Sequence, residues 1–128
     1  MAPPNLRNSS PSLPWALFGF RGRITRRTFW LAQLALMSVN SVFVAQVVGG
    51  PEARFHNEAV QVFPIVGALT LLSSIAVTVK RLHDFGMTGL FALGVLLPFV
   101  NVGVTLWAGI VPSEPGRNSY GSEPDRPD

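Results

Sequence analysis

Three long uncharged segments dominate the hydrophobic pattern of this 128-residue chain. They occupy positions 28–51, 59–79 and 85–113, with 24, 21 and 29 residues between neighbouring charges. An α-helix needs about 20 mostly apolar residues to cross the hydrocarbon core of a bilayer. We therefore predict three transmembrane helices at about 29–49, 59–79 and 90–111, with a bend in the third at Pro98, which has no amide hydrogen to donate.

The composition favours a membrane protein over a soluble domain. Charged residues make up 13% of the chain and hydrophobic residues 48%, with a mean hydropathy of +0.34. Soluble domains have about 25% charged residues. A soluble helical bundle would need charges at helical spacing inside the three segments, and the sequence has none there. The predicted fold class is all-α, an integral membrane bundle of three transmembrane helices.

The two ends of the chain differ from the bundle in composition. Residues 1–14 are rich in proline and serine, which predicts a disordered leader, and 125–128 are predicted to be a disordered tail. Residues 15–124 would form one membrane domain between them. The domain would open with an interfacial segment, because Trp15 precedes arginines that can lie among lipid head groups.

The lysines and arginines are distributed unevenly along the chain. Seven of the ten precede the first predicted helix or directly follow the second, and the other three are Arg54, Arg117 and Arg126. Membrane proteins keep most basic residues on the cytoplasmic side, so we predict a cytoplasmic N-terminus. Three spans then put the C-terminus outside. Topology thus explains the net charge of +3 better than nucleic-acid binding does.

Two segments are predicted to be cytoplasmic, the one before the first helix and the one after the second. Their charged residues are candidates for binding a partner or the head groups of anionic lipids. They are Arg21, Arg23, Arg26, Arg27, Lys80, Arg81, His83 and Asp84. We expect Asp84 to contact an arginine of the N-terminal group and Gly86 to take the positive φ that ends the second helix. In an alternative interpretation, the arginines only fix the orientation of the chain.

Each predicted helix also carries one stripe of small or polar residues at helical spacing. The stripes consist of Gln33, Asn40, Gly67, Thr70, Ser74, Thr78, Gly94, Asn101 and Thr105. Such residues let membrane helices approach closely and form hydrogen bonds with each other. They favour a bundle that packs on itself or forms oligomers, although a path for a small solute would use the same side chains.

The adjacent residues His83 and Asp84 are the one pair that suggests metal-dependent hydrolysis. A metal centre needs further ligands, and the other histidine, His56, is predicted to lie on the opposite side of the membrane. The sequence also has no cysteine that could supply a thiolate ligand. We therefore expect no enzyme activity, no cofactor and no bound metal.

Three separated motifs resemble those of the small bacterial inner-membrane proteins known as domain of unknown function 805 (DUF805). The motifs are Phe20–Trp30, Lys80–Gly89, and Pro115–Gly121 followed by Pro124. The resemblance extends from about Trp15 to Pro124, and Arg81–Asp84 is its most specific part. It implies a multi-pass protein of the bacterial inner membrane. It implies no activity, because none is assigned to the family.

Two classes of function stay open after these observations. The first is a small membrane interaction or scaffold module that binds a partner or anionic lipid through its cytoplasmic charges. Its expected partners are the bilayer and its head groups, another membrane protein or further copies of the chain, but not nucleic acid. The second class is a small-solute conduit or transporter subunit that uses the polar stripes. A His-Asp metal hydrolase is the third and least supported interpretation.

Overall fold

The computed structural model describes residues 11–127, and four α-helices account for most of them. The helices are α1 (Leu13–Phe18), α2 (Arg26–Val48), α3 (His56–Asp84) and α4 (Pro98–Ile110). Two 3₁₀ helices lie at Gly50–Glu52 and Gly89–Leu96. The described residues contain two isolated β-bridges and no strand, so the predicted all-α class is confirmed.

The helices α2 and α3 form an antiparallel pair, joined through the short 3₁₀ helix between them. Their 23 and 29 residues correspond to about 34 and 43 Å of helix, more than the ~30 Å of a bilayer core. Apolar side chains cover their outer surface, and Leu31, Val42 and Ile65 are 60 to 64% exposed. Both helices are long and apolar enough to cross a membrane.

The segment predicted as the third span, 90–111, is not one helix. Pro98 begins α4, and Leu97 before it takes an extended conformation with φ −101° and ψ 122°. Proline has no amide hydrogen to donate and disfavours helical dihedrals in the preceding residue. The bend predicted at Pro98 is a reversal of the chain direction, so residues 90–111 do not form the single helix that was predicted there.

The two halves of this segment pack against each other in antiparallel directions. Phe91, in the 3₁₀ helix, contacts Trp107 near the end of α4, with 6.2 Å between ring centroids. Asn101, near the start of α4, donates a hydrogen bond to the carbonyl of Val95 (2.9 Å). Residues 89–110 therefore form a helical hairpin, which we call the C-terminal hairpin.

The C-terminal hairpin brings the end of α4 back to the end of α3. The guanidinium of Arg81 donates to the carbonyl of Ala108 (2.8 Å), and Arg26 at the start of α2 donates to the carbonyl of Ile110 (3.3 Å). The start of α2 and the ends of α3 and α4 thus share one end of the bundle, which we call the polar end. In a bundle of three antiparallel spans, the start of the first span and the end of the third span would instead lie at opposite ends of the bundle.

The predicted disordered leader, 1–14, is described only in part, since residues 1–10 lie outside the described residues. Its last residues differ from the expectation, because α1 begins at Leu13. The hydroxyl of Ser12 accepts a hydrogen bond from the amide of Trp15 (3.3 Å). A serine N-cap and a proline in the first turn both favour a helix start, and α1 packs against α3.

The predicted disordered tail, 125–128, also differs in its described part. The carboxylate of Asp125 accepts hydrogen bonds from the amide and hydroxyl of Thr25 (3.0 and 2.9 Å) and from the hydroxyl of Thr28 (2.9 Å). Thr25 is the N-cap of α2, so the carboxylate lies where the helix dipole stabilises an anion. Residue 128 lies outside the described part of the chain.

Candidate functional site

The last turns of α3 present charged side chains to the interior of the bundle. Lys80, Arg81 and Asp84 are fully buried, and Val77 on the same face is buried with them. Residues at this spacing share one side of a helix. Burying a charge costs free energy unless the charge is paired and hydrogen-bonded. The partners of these three side chains therefore define the site.

Asp84 accepts hydrogen bonds from three side chains. Arg23 Nε donates to Oδ1 (3.2 Å), and both Arg81 Nη1 and the hydroxyl of Ser113 donate to Oδ2. The predicted contact between Asp84 and an N-terminal arginine is confirmed. We call Arg23, Arg81, Asp84 and Ser113 the Asp84 cluster. It holds two buried cations for one buried anion, so backbone carbonyls must accept the other guanidinium N–H groups.

Arg23 joins the N-terminal segment to the end of α3 and to the C-terminal tail. Its Nη1 donates to the carbonyl of Gly116 (2.6 Å), and its Nη2 donates to the carbonyls of Glu114 (2.6 Å) and Asp84 (3.2 Å). The five N–H donors of a guanidinium form a rigid planar fork that suits such an array of acceptors. One side chain thus connects three segments that are far apart in sequence.

Arg81 holds the end of α4 in the same way. It donates from Nε to the carbonyl of Ala108 (2.8 Å), from Nη2 to the carbonyl of Val111, and from Nη1 to the carbonyl of Ile24 (3.2 Å). The last carbonyls of a helix have no partner within the helix and carry the negative end of its dipole. The guanidinium therefore both satisfies these carbonyls and fixes the return of the C-terminal hairpin.

Lys80 anchors the short helix α1. Its Nζ donates to the carbonyl of Trp15 within α1 (2.9 Å) and to that of Gly19, the C-cap of α1 (2.5 Å). The ammonium also lies 5.3 Å from the centroid of the Trp15 ring, a cation–π distance. These contacts attach α1 to the last turns of α3.

His83 binds the C-terminal tail. Its ring stacks on Tyr120, with 4.1 Å between ring centroids and an interplanar angle of 2°. Its Nδ1 lies 3.3 Å from the carbonyl oxygen of Gly22, and its own carbonyl accepts a hydrogen bond from Asn118 Nδ2 (2.9 Å). The positive φ predicted for Gly86 is confirmed at 81°, and it lets the chain leave α3 toward the C-terminal hairpin.

The structure divides the predicted binding residues into a buried and an exposed group. The buried group consists of Arg23, Lys80, Arg81 and Asp84. The exposed group consists of Arg21, Arg26 and Arg27, with His83 intermediate. The exposed arginines lie at the start of α2 or in the loop before it, so all three surround the polar end. Whether any of these residues binds a partner or a lipid stays a prediction.

Two site residues were not predicted from the sequence, Ser113 and Asp125. Ser113 follows the third predicted helix, and Asp125 is the first residue of the predicted disordered tail, so neither was a candidate. Thr25 and Thr28 follow a spacing that is common at helix starts. The N-cap residue Thr25 was the local signal of a helix start, and the helix dipole stabilises an anionic group at that position. The identity of the anion depends on a contact about 100 residues along the chain.

The predicted polar stripes meet around one cavity of about 650 Å³ between α2, α3 and the C-terminal hairpin. We call it the amide cavity. Its hydrogen-bonding lining consists of Gln33, Asn40, Thr70, Ser74, Asn101 and Thr105. Ser74 donates to Gln33 Oε1 (3.2 Å), and Thr70 donates to Asn40 Oδ1 (3.1 Å). These bonds link α2 to α3 along the cavity wall.

The remaining stripe residues lie around the amide cavity or next to it. Gly67 lines it, Thr78 accepts a hydrogen bond from Gln33 at its edge (3.3 Å), and Gly94 lies inside the C-terminal hairpin. At the polar end, Trp30 packs against Gly109 and donates to its carbonyl (3.1 Å). Trp30 also lines the amide cavity, so it forms the wall of the cavity on the side of the polar end.

The His-Asp pair serves the packing of the polar end. Among residues 11–127, no three histidine, cysteine or acidic side chains lie close enough together to hold a metal ion. Asp84 is engaged by two arginines, while His83 stacks on an aromatic ring. His56 begins α3, about 40 Å of helix away from His83.

Two long apolar helices, an apolar hairpin and basic residues gathered at one end define a helical membrane protein. The chain belongs to the family described as "Protein of unknown function (DUF805)", which matches residues 17–122. Inner membrane protein YhaI of Escherichia coli K12 is 30% identical over 111 residues, or 83% of this chain and 86% of YhaI. Inner membrane protein YhaH of the same strain is 28% identical over 110 residues, 83% and 87% of the two chains. No solved structure matches the chain.

Proposed function

We propose that this protein is a small inner-membrane module that binds anionic lipid head groups through Arg21, Arg26 and Arg27. The observation that carries the proposal is the division of the basic residues at the polar end. The buried cations are out of reach of a lipid head group, whereas these three arginines are exposed to the surroundings, including Arg26 with its hydrogen bond to the carbonyl of Ile110. A basic residue near an anionic leaflet contributes about 1 kcal/mol to binding.

The buried cations support this function by holding the exposed ones in place. The Asp84 cluster ties the loop before α2 to the end of α3 and to the C-terminal tail. Asp125 fixes the first turn of α2, which carries Arg26 and Arg27. Charges on a rigid base lose less conformational entropy on binding than charges on a mobile loop. The proposed activity is therefore binding, not catalysis.

We also propose that α2 and α3 cross the bilayer and that the C-terminal hairpin enters and leaves it on one side. The 13 residues of α4 measure about 20 Å, short of the ~30 Å core. Both described ends of the chain would then lie on the same side, in contrast to the external C-terminus expected from three spans. Of the nine lysines and arginines in residues 11–127, only Arg54 lies away from the polar end. The positive-inside rule makes that end cytoplasmic.

The lipid proposal is tested with the double variant Arg26→Gln/Arg27→Gln. The full chain in a neutral detergent is titrated with a short-chain phosphatidylglycerol, and bound lipid is counted by native mass spectrometry. Removing two charges costs about 2 kcal/mol, so we expect the apparent affinity to fall about 30-fold. Binding by the unchanged chain should weaken as the salt concentration rises.

The matched control is Arg54→Gln, which removes an exposed arginine from the other end of the bundle. We expect it to bind phosphatidylglycerol like the unchanged chain. Equal affinities for the double variant and the unchanged chain would reject the proposal. Equal losses of affinity in the double variant and the control would show that the total charge of the protein determines binding, and not the position of the arginines at the polar end.

A further inference from the structure

We propose that the amide cavity binds one uncharged lipid whose head group carries carbonyl or hydroxyl oxygens. This site is distinct from the exposed arginines, because none of the three lines the amide cavity. Its volume of about 650 Å³ is within the range of about 300–1,000 Å³ that small-molecule sites have. Three helices contribute its walls, so a ligand would contact α2, α3 and α4 together.

The hydrogen-bonding groups of the cavity have capacity that the protein itself does not use. A side-chain amide has two N–H donors. Within residues 11–127, the structure gives one acceptor each to the amide nitrogens of Gln33, Asn40 and Asn101. Gln33 is only 4% exposed, and an unsatisfied donor is costly where no water is present. Ligand oxygens that accept from these amides would satisfy them.

The charge of the lining determines which class of lipid fits. Every residue that lines the amide cavity is uncharged. A phosphate or ammonium head group placed at this depth would be a buried charge without a counter-ion, which is strongly unfavourable. An uncharged head group avoids this cost and still uses the amide donors. The bound lipid would therefore resemble a diacylglycerol or a quinone in its polar chemistry.

The shape of the site indicates a long apolar tail. A second groove of about 490 Å³ continues along α2 from Met37 to Val48 and shares Met37 and Asn40 with the amide cavity. From Trp30 to Val48, the two together follow about 27 Å of helix. A lipid with its polar head at the amides and its tail along this groove would fill both the amide cavity and the groove. A compact polar solute would fill only the first.

Photo-crosslinking in a defined bilayer tests this proposal. The full chain is placed in phosphatidylcholine nanodiscs with a trace of a diacylglycerol that carries a diazirine in one acyl chain. After irradiation, mass spectrometry locates the crosslinked residues. We expect crosslinks along the lining of the amide cavity and its groove. We also expect at least tenfold less crosslinking from a phosphatidylcholine with the same diazirine chain.

Two glycines provide a matched pair of variants. A Cβ added at Gly67 or at Gly103 would meet no atom within 4 Å, but only Gly67 lines the amide cavity. Gly67→Leu should therefore fill the cavity and reduce crosslinking by the diacylglycerol probe at least tenfold. Gly103→Leu should leave it unchanged.

A second pair of variants keeps the test decisive if Gly67→Leu does not fold. Met37 and Leu34 are both exposed residues of α2, and only Met37 lines the site. Met37→Trp should obstruct the groove, and Leu34→Trp should not. Undiminished crosslinking in the folded cavity variants would overturn the proposal. So would equal crosslinking by the phosphatidylcholine probe, because the site would then hold ordinary bilayer lipid.

Discussion

Asp84 neutralises one of two buried guanidinium groups, and its removal would leave both without an ionic partner. Breaking a buried ion pair at one partner is more damaging than replacing the pair, because the remaining charge stays desolvated. Here the remaining charges would be those of Arg23 and Arg81, whose donors also hold the tail and α4. The packing of the polar end therefore depends on one carboxylate.

We expect Asp84→Ala to lower the free energy of unfolding by about 3–5 kcal/mol. The measurement is reversible unfolding in detergent, followed by circular dichroism. Glu123→Ala is the control, because it breaks an exposed ion pair with Arg126 (3.4 Å) and should cost less than about 1 kcal/mol. If the free energy of unfolding falls by a similar amount in both variants, that result would contradict a structural role for the Asp84 cluster.

The sequence predicted the contact of Asp84 with an arginine, but not which arginine makes it. The prediction was possible because the charge pattern placed both groups on one side of the same apolar bundle. Arg23 is buried and Arg21 exposed because Arg23 reaches the carbonyls of Glu114 and Gly116. Those acceptors lie more than 90 residues along the chain, where no local pattern marks them.

The C-terminal hairpin is the element for which the sequence-based prediction and the structure differ most. A run of 29 uncharged residues satisfies the length criterion for a membrane span, and that criterion does not detect a reversal inside the run. Pro98 predicted a bend. The full reversal depends on contacts across the bundle, above all those of Arg81 with the end of α4. Helices α2 and α3 were predictable because each of their apolar segments continues as one helix without a reversal inside it.

Two glycines of α4 test how tightly the hairpin packs on α2. A Cβ at Gly109 would overlap the ring of Trp30, whereas a Cβ at Gly103 would meet no atom within 4 Å. We expect Gly109→Ala to destabilise the protein by about 1–3 kcal/mol through overpacking. Gly103→Ala should stabilise it by about 0.5–1 kcal/mol, because alanine favours the helix.

Thermal unfolding of both variants in the same detergent provides the comparison. The two midpoints should shift in opposite directions from that of the unchanged chain. If Gly109→Ala is as stable as Gly103→Ala, then Trp30 does not pack against the end of α4.

The whole molecule has two ends of different chemistry. At the polar end, the N-terminal segment, the end of α3 and the C-terminal tail meet around the Asp84 cluster, with exposed arginines outside. At the other end, the turn between α2 and α3 connects the two helices, and His56 Nδ1 at the start of α3 lies 3.0 Å from the carbonyl oxygen of Gln46 in α2. The central claim is that this arrangement places both described ends of the chain on one side of the membrane.

Single-cysteine labelling tests this claim most directly, because the natural chain has no cysteine. Ser12→Cys, Ser119→Cys and Asn57→Cys each place a thiol at an exposed position, and intact spheroplasts are treated with a membrane-impermeant maleimide. We predict that Asn57→Cys is labelled from outside, while Ser12→Cys and Ser119→Cys react only after the membrane is permeabilised. Labelling of Ser119→Cys together with Asn57→Cys in intact spheroplasts would contradict the account.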